Sequence, residues 1–144
     1  MTAGASLNWK GNQMLYSVAP VLAVGDVEKT ISWYQKVFGF DADPYPAEPP
    51  FCFAILYKHN IEIMLRQVEG FAPRTSQPHA WDYYVRLRGG RIQELYAHVK
   101  NQTSILRPLE KAFYNEMEFE VTDCNGYVLC FSEPCAAVAG EDSR

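Results

Sequence analysis

Apolar residues recur along the chain in two rhythms, and the rhythms alternate. The run LYSVAPVLAV, residues 15–24, is short, rich in valine and closed by Gly25-Asp26, which predicts a buried strand. In the following DVEKTISWYQKVFGF, Val27, Ile31, Tyr34 and Phe38 fall at spacings of four and three and so share one helical face. Asp26 is placed to cap the start of that helix and Gly39 to supply its left-handed stop. Residues 40–45 predict an edge strand, and the proline-bearing PYPAEPP after it a loop, because proline removes ladder donors. Residues 51–57 and 61–66 predict a hairpin across Lys58-His59-Asn60. In its second strand, alternation puts Ile61, Ile63 and Leu65 on one face and Glu62, Met64 and Arg66 on the other.

VEGFAPRTSQPHA, residues 68–80, is punctuated by glycine and proline and predicts a connector. After it the order of events begins again. Residues 81–87 predict a strand, Gly89-Gly90 a break, and Ile92, Leu95, Tyr96 and Val99 a second amphipathic helix. A short strand at 104–106 and a hairpin of 116–121 with 127–131 over Asn125-Gly126 follow. Strand, helix and three strands thus occur twice, at an offset of roughly 60 residues. Two such βαβββ modules each curl a small sheet and together form a cup-shaped half-barrel, an α+β fold with a ligand site built into it. The expected division is an N-terminal extension 1–14, one domain 15–134 and a flexible tail 135–144. Within the domain, module one spans 15–67, the connector 68–80 and module two 81–134.

Composition fits one globular unit: 144 residues, 48% hydrophobic, 21% charged and 14% aromatic, the last enough for rings to line a pocket as well as a core. The formal charge of -4 argues against a nucleic-acid partner, since phosphate binding needs a basic face. Arg86, Arg88 and Arg91 come nearest to a basic cluster and fit a solvated strand end and helix start. No apolar stretch approaches the ~18 to 20 residues a membrane span requires, and the first residues lack a secretory pattern, so a cytoplasmic protein is expected. Cys52, Cys124, Cys130 and Cys135 show no CxxC spacing, which favours reduced structural thiols over disulfides or a structural zinc site.

Three stretches carry a family resemblance. APVLAVGDVEKTISWYQKVFGF resembles the opening strand, acidic turn and helix of the glyoxalase and bleomycin-resistance group, the vicinal oxygen chelate superfamily. IQELYAHV resembles its second helix and MEFEVTDCNGYVLCFSE its closing hairpin, so that the likeness covers about residues 17–133. The resemblance implies the cup and, in metal-dependent members, a divalent ion held on four inward strand positions filled by His and Glu. Carried over, those positions fall on Ala19, on Met64 (or Glu62 with a shifted loop), on Asp82 and on Cys130. Alanine cannot ligate, methionine is a weak donor for a divalent ion, and one carboxylate with one thiol is too few. No metal or other cofactor is therefore expected, with Cys130 a small inward filler. A slipped alignment bringing His79 beside Glu62 is the alternative.

Without a metal, the nearest branch in resemblance is the bleomycin-resistance type, in which a dimer holds a flat cationic drug in a groove. The likeness implies a small-molecule ligand, a homodimer, and a site drawn from Glu62, Met64, Arg66, Trp81, Asp82, Tyr84 and Cys130. Parity on the strand puts Asp82 and Tyr84 inside the cup and turns Trp81 and Tyr83 towards the helices. Trp81 or Tyr83 could stack on a planar ligand, while Asp82 and Glu62 could meet a positive group. Two enzymatic readings stand beside this one: a metal-dependent lyase, isomerase or dioxygenase, and a metal-free acid-base enzyme using Glu62 with Asp82 or Tyr84.

Overall fold

Asp26 and Gly39 bracket the first helix. The Asp26 carboxylate accepts from the Lys29 backbone N–H at 3.0 Å, and Gly39, at φ +72°, turns the chain out of the helix. Between them α1 (Val27–Phe38) buries Val27, Thr30, Ile31, Tyr34 and Val37. The computed structural model describes residue 11 and residues 13–136. The expected extension 1–14 and tail 135–144 lie for the most part outside the described residues.

Around α1 stand β1 (Val21–Val24), β2 (Asp41–Tyr45), β3 (Phe53–Lys58) and β4 (Ile61–Gln67), in the order β1-β4-β3-β2. The second module repeats the plan with β5 (Tyr83–Arg86), α2 (Ile92–Lys100), β6 (Ile105–Lys111), β7 (Glu116–Thr122) and β8 (Val128–Pro134), in the order β5-β8-β7-β6. Each sheet is mixed. β1 pairs parallel with β4 and β5 with β8, across connections long enough to hold a helix, while the remaining pairs are antiparallel.

One face of each sheet joins a common core with the helices. Leu22, Val24, Ala54, Leu56, Ile63 and Leu65 fill it from the first sheet, and Phe119, Val121, Leu129 and Phe131 from the second. Polar ties lock the modules. Tyr83 donates to the Tyr34 hydroxyl at 3.1 Å, Tyr34 donates to Asp123 at 2.6 Å, and Tyr127 donates to the Ala23 carbonyl at 2.7 Å. Phe38 stacks on Phe131 with centroids 4.9 Å apart.

Three strands differ from expectation. β1 is four residues, not ten, because Pro20 has no N–H to pair; its carbonyl accepts from Met64, and Leu15, Tyr16 and Val18 before it stand exposed. β5 begins only at Tyr83. β6 runs to seven residues where three were expected, because Pro108 lies on an edge strand within a register shift and costs no ladder bond there.

Candidate functional site

The faces turned away from the helices differ between the two sheets. On β4, Glu62 and Arg66 are exposed and Met64 is half-buried, with Tyr57, Ile55 and Phe53 as their cross-strand neighbours. On the second sheet the corresponding face is polar and almost closed to solvent. β7 is buried on both sides: Phe119 and Val121 point to the core, and Glu116, Glu118 and Glu120 alternate with them on the other face. Register places Tyr84, Cys130 and Glu120 in one row across the sheet with Arg107, and Arg86 beside Ser132 and Glu118 in the next.

Arg107 organises this face. Its Nε donates to Glu120 at 2.8 Å, one terminal nitrogen to Glu118 at 2.9 Å and the other to the exposed Glu110 at 3.1 Å. Glu118 and Glu120 are both 0% exposed, so an unpaired charge on either would be costly. Tyr84 donates to Glu118 at 2.6 Å, and Tyr114 donates to the same carboxylate oxygen. Glu120 accepts from the Trp81 indole at 2.6 Å and from the His79 backbone N–H at 3.0 Å, while Ser132 donates to Glu116 at 3.1 Å. Every buried side-chain nitrogen and oxygen among the described residues has a partner.

The network holds two carboxylates ionised. Burial opposes ionisation of Glu118, but hydrogen bonds from Tyr114, Tyr84 and Arg107 outweigh it and keep its carboxyl below the usual range. Glu120 is held low in the same way, burial being outweighed by Arg107, the His79 backbone and Trp81. Burial and Glu118 raise the Tyr84 phenol to about 12, so it remains a donor at neutral pH.

Above the network lies an open cavity of about 450 Å³ lined by Trp81, Tyr84, Arg86, Tyr114 and Glu116. Trp81 and Tyr84 meet with ring centroids 4.8 Å apart, and the Arg86 guanidinium lies 5.2 Å from the centre of the Tyr84 ring. The expected parity at 81 and 82 is thereby corrected. Trp81 precedes β5 and swings its indole onto Glu120, whereas Asp82 leaves the cavity to Arg74, at 3.0 Å, and to the Val128 N–H, at 2.8 Å. Tyr83 faces the core.

Of the expected site residues, Trp81 and Tyr84 share this cavity, and Cys130 is buried in the sheet beside them. Glu62 meets Tyr84 and Arg86 in a smaller groove of about 200 Å³ at the seam between the modules. Met64 and Arg66 line neither space, and Asp82 is a structural acceptor. Sequence reasoning passed over Arg107, Tyr114, Glu116, Glu118 and Glu120, although a glutamate at every second residue between buried apolar ones was a signal for a polar inner face.

The positions that the resemblance assigns to metal ligands do not suit a divalent ion. Ala19 offers no donor, and both Asp82 oxygens are engaged. The Cys130 thiol is pushed up to about 12, by burial first and then by Glu118 and Glu120, and stays protonated. His79, at the end of the connector, lies on the surface at φ +68° and is docked on the second module, its Nδ1 3.8 Å from Glu120, whereas Glu62 belongs to the first. Among the described residues no group of three His, Cys, Asp or Glu is placed to share a metal.

The comparisons place this arrangement among known folds. A family model, "Glyoxalase/Bleomycin resistance protein/Dioxygenase superfamily", matches residues 17–131. Among solved structures, TioX from Micromonospora sp. ML1 is similar with a TM-score of 0.63 at 20% identity, over 82% of this chain and 99% of that one. A virulence protein from Salmonella typhimurium is similar with a TM-score of 0.61 at 22% identity, over 84% of this chain and 98% of its own. A glyoxalase-related enzyme from Clostridium phytofermentans reaches 0.67 at 17% identity, over 87% and 98%. Identities this low speak to the fold alone. No curated protein matches the chain.

Proposed function

We propose that this chain, which belongs to the glyoxalase/bleomycin resistance protein/dioxygenase superfamily, is a metal-independent binding protein that sequesters a planar aromatic cation. The observation that carries the reading is the acidic, fully bonded floor beneath an aromatic cavity. Glu116, Glu118 and Glu120 outnumber Arg107 and Arg86 by one formal charge, and Trp81, Tyr84 and Tyr114 supply ring faces above them. A flat cation can stack on those rings while the carboxylates below favour its charge. Because Glu118 and Glu120 are held ionised and tied to Arg107, they supply electrostatic complementarity, not a mobile proton.

Sequestration of an antibiotic of this chemistry, bleomycin among the candidates, is the corresponding physiological role. Four free cysteines suit a reducing, cytoplasmic setting. No described helix is long and apolar enough to cross a membrane.

Titration with proflavine, a planar cation, and with bleomycin is expected to quench Trp81 saturably, with proflavine binding at ~10 µM or tighter. Pyrenesulfonate, flat but anionic, should bind this cavity far more weakly. Trp81→Ala is expected to weaken proflavine about tenfold, the size of a lost stacking and cation–π contact. Equal quenching of Trp81 by the anion, or an unchanged proflavine affinity in Trp81→Ala, would refute the assignment.

The cavity is open on one side, and the protein is proposed to close it as a homodimer. Phe113 at the β6–β7 tip is 99% exposed, and Tyr16 and Val18, beside the unpaired edge of β1, are 96% and 94% exposed. Sedimentation velocity is expected to give the mass of two chains at micromolar concentration, and Val18→Glu to shift it towards one. A monomer throughout would remove the partner from the scheme.

A further inference from the structure

A second cavity, of about 460 Å³, lies on the helix side of the junction between the modules, away from the acidic floor. Its walls are apolar and come from both halves of the chain: Phe38 and Phe40 around the end of α1, Val85 and Leu87 from β5 and just after it, Leu95 from α2, and Phe131 from β8. Its rim is basic. Lys58 stands at the end of β3 with only the Gly39 carbonyl at 3.5 Å, and Arg88 has no hydrogen-bond or ion-pair partner among the described residues. Arg91 pairs with Glu94 at 2.6 Å, and His59 and His98 complete the mouth. Lys58, Arg88 and Arg91 against Glu94 leave a formal excess of two positive charges.

The two cavities therefore carry opposite signs. Arg86, the last residue of β5, lies over Tyr84 in the acidic site, and Arg88, beyond the end of the strand where alternation no longer applies, reaches the basic rim. An apolar hollow open to water is stabilised by any apolar body that fills it, and cations without a carboxylate partner at its mouth, Lys58 and Arg88, select the charge of the head group. We propose that this junction cavity binds a small anionic amphiphile, an alkyl carboxylate of about the size of decanoate, with its chain among the phenylalanines and its carboxylate between Lys58 and Arg88. Because α1, β5, α2 and β8 all contribute walls, such a ligand would bridge the two modules.

Isothermal titration with decanoate and with decyltrimethylammonium, which share a chain and differ in charge, tests this directly. Decanoate is expected to bind saturably at one per chain and about tenfold tighter than the cation. In the double variant Lys58→Glu/Arg88→Glu, two surface changes whose effect on folding a melting curve checks, decanoate should weaken about tenfold and the preference should invert. Leu95→Trp, which fills the hollow, should weaken both probes together. Trp81→Ala should leave decanoate binding unchanged, because Trp81 belongs to the other cavity. Absence of saturable binding, equal affinity for both probes, indifference to charge reversal, or loss of decanoate binding in Trp81→Ala would each overturn the proposal.

Discussion

Arg107→Met is expected to lower the stability of the folded chain by about 3 to 5 kcal/mol, because it strands two carboxylates that no water reaches. That corresponds to a fall of about ten degrees or more in the melting midpoint for a domain of this size. Removing the cation is worse than never having buried the pair. Glu118 keeps its bonds from Tyr84 and Tyr114, and Glu120 keeps those from Trp81 and His79, but neither neutral set replaces a guanidinium. Arg107→Lys should fall between the two, since an ammonium restores the charge and loses the fork that reaches Glu118 and Glu120 together.

The pH dependence of the same variant carries the sharper signature. Glu118 and Glu120 titrate below the ordinary carboxylate range in the native fold, so they bind protons less readily folded than unfolded. Their stabilisation is present above the unfolded pKa of about 4.3 and is lost as pH falls through the lower folded values. Without Arg107, burial dominates and the folded pKa rises above the unfolded one. Stability of Arg107→Met should therefore grow as pH falls from about 7 towards 5, where the native protein is nearly flat. Asp123, whose carboxyl burial raises despite bonds from Tyr34 and from the Asn125 and Tyr127 backbone, acts in that direction in both proteins and cancels in the difference. Urea denaturation of the two proteins at pH 7 and pH 5 measures it; parallel slopes, or a loss under about 1 kcal/mol, would show that Arg107 is not what holds the carboxylates charged.

How far this site could be foreseen depended on whether its parts were local. Helix α1, its two caps and the doubled strand-helix order were legible, because each is written in spacings of a few residues. The helix-facing side of β4 followed from alternation alone, as Ile63 and Leu65 illustrate. The acidic floor was harder. Glu116, Glu118 and Glu120 are visible as an alternation, but Arg107, the partner of Glu118 and Glu120, stands one residue beyond the expected strand 104–106 and beside Pro108. Trp81 and Asp82 were assigned by strand parity, which has no force before Tyr83, where the ladder begins. There the tertiary partners decide: Glu120 captures one side chain, and Arg74 with the Val128 N–H the other.

Those partners depend on how the connector is docked, and Gly126→Ala is expected to undo the docking. A Cβ at Gly126 would stand 2.1 Å from the Arg74 carbonyl oxygen and 2.8 Å from its carbonyl carbon, on a backbone already at φ +88°. The obstruction is main chain, so no side-chain rotation relieves it. The connector must leave, and with it go the Arg74 N–H bond to Asn125 O at 2.9 Å, the Ser76 bond to Gly126 O at 2.9 Å and the Arg74 contact with the Tyr127 ring. A loss of about 2 to 4 kcal/mol is expected from strain and lost contacts together. Five residues on from Ser76, Trp81 would lose the anchorage that aims it at Glu120, so its emission should shift to the red and proflavine affinity should fall with it. Gly89→Ala separates the two contributions: Gly89 has φ +99° but nothing within 4 Å of the added carbon, so it carries the dihedral strain alone, about 1 kcal/mol. If the two variants melted together and trypsin cut at Arg74 no faster in Gly126→Ala, the close approach of connector and turn would not be what positions the indole.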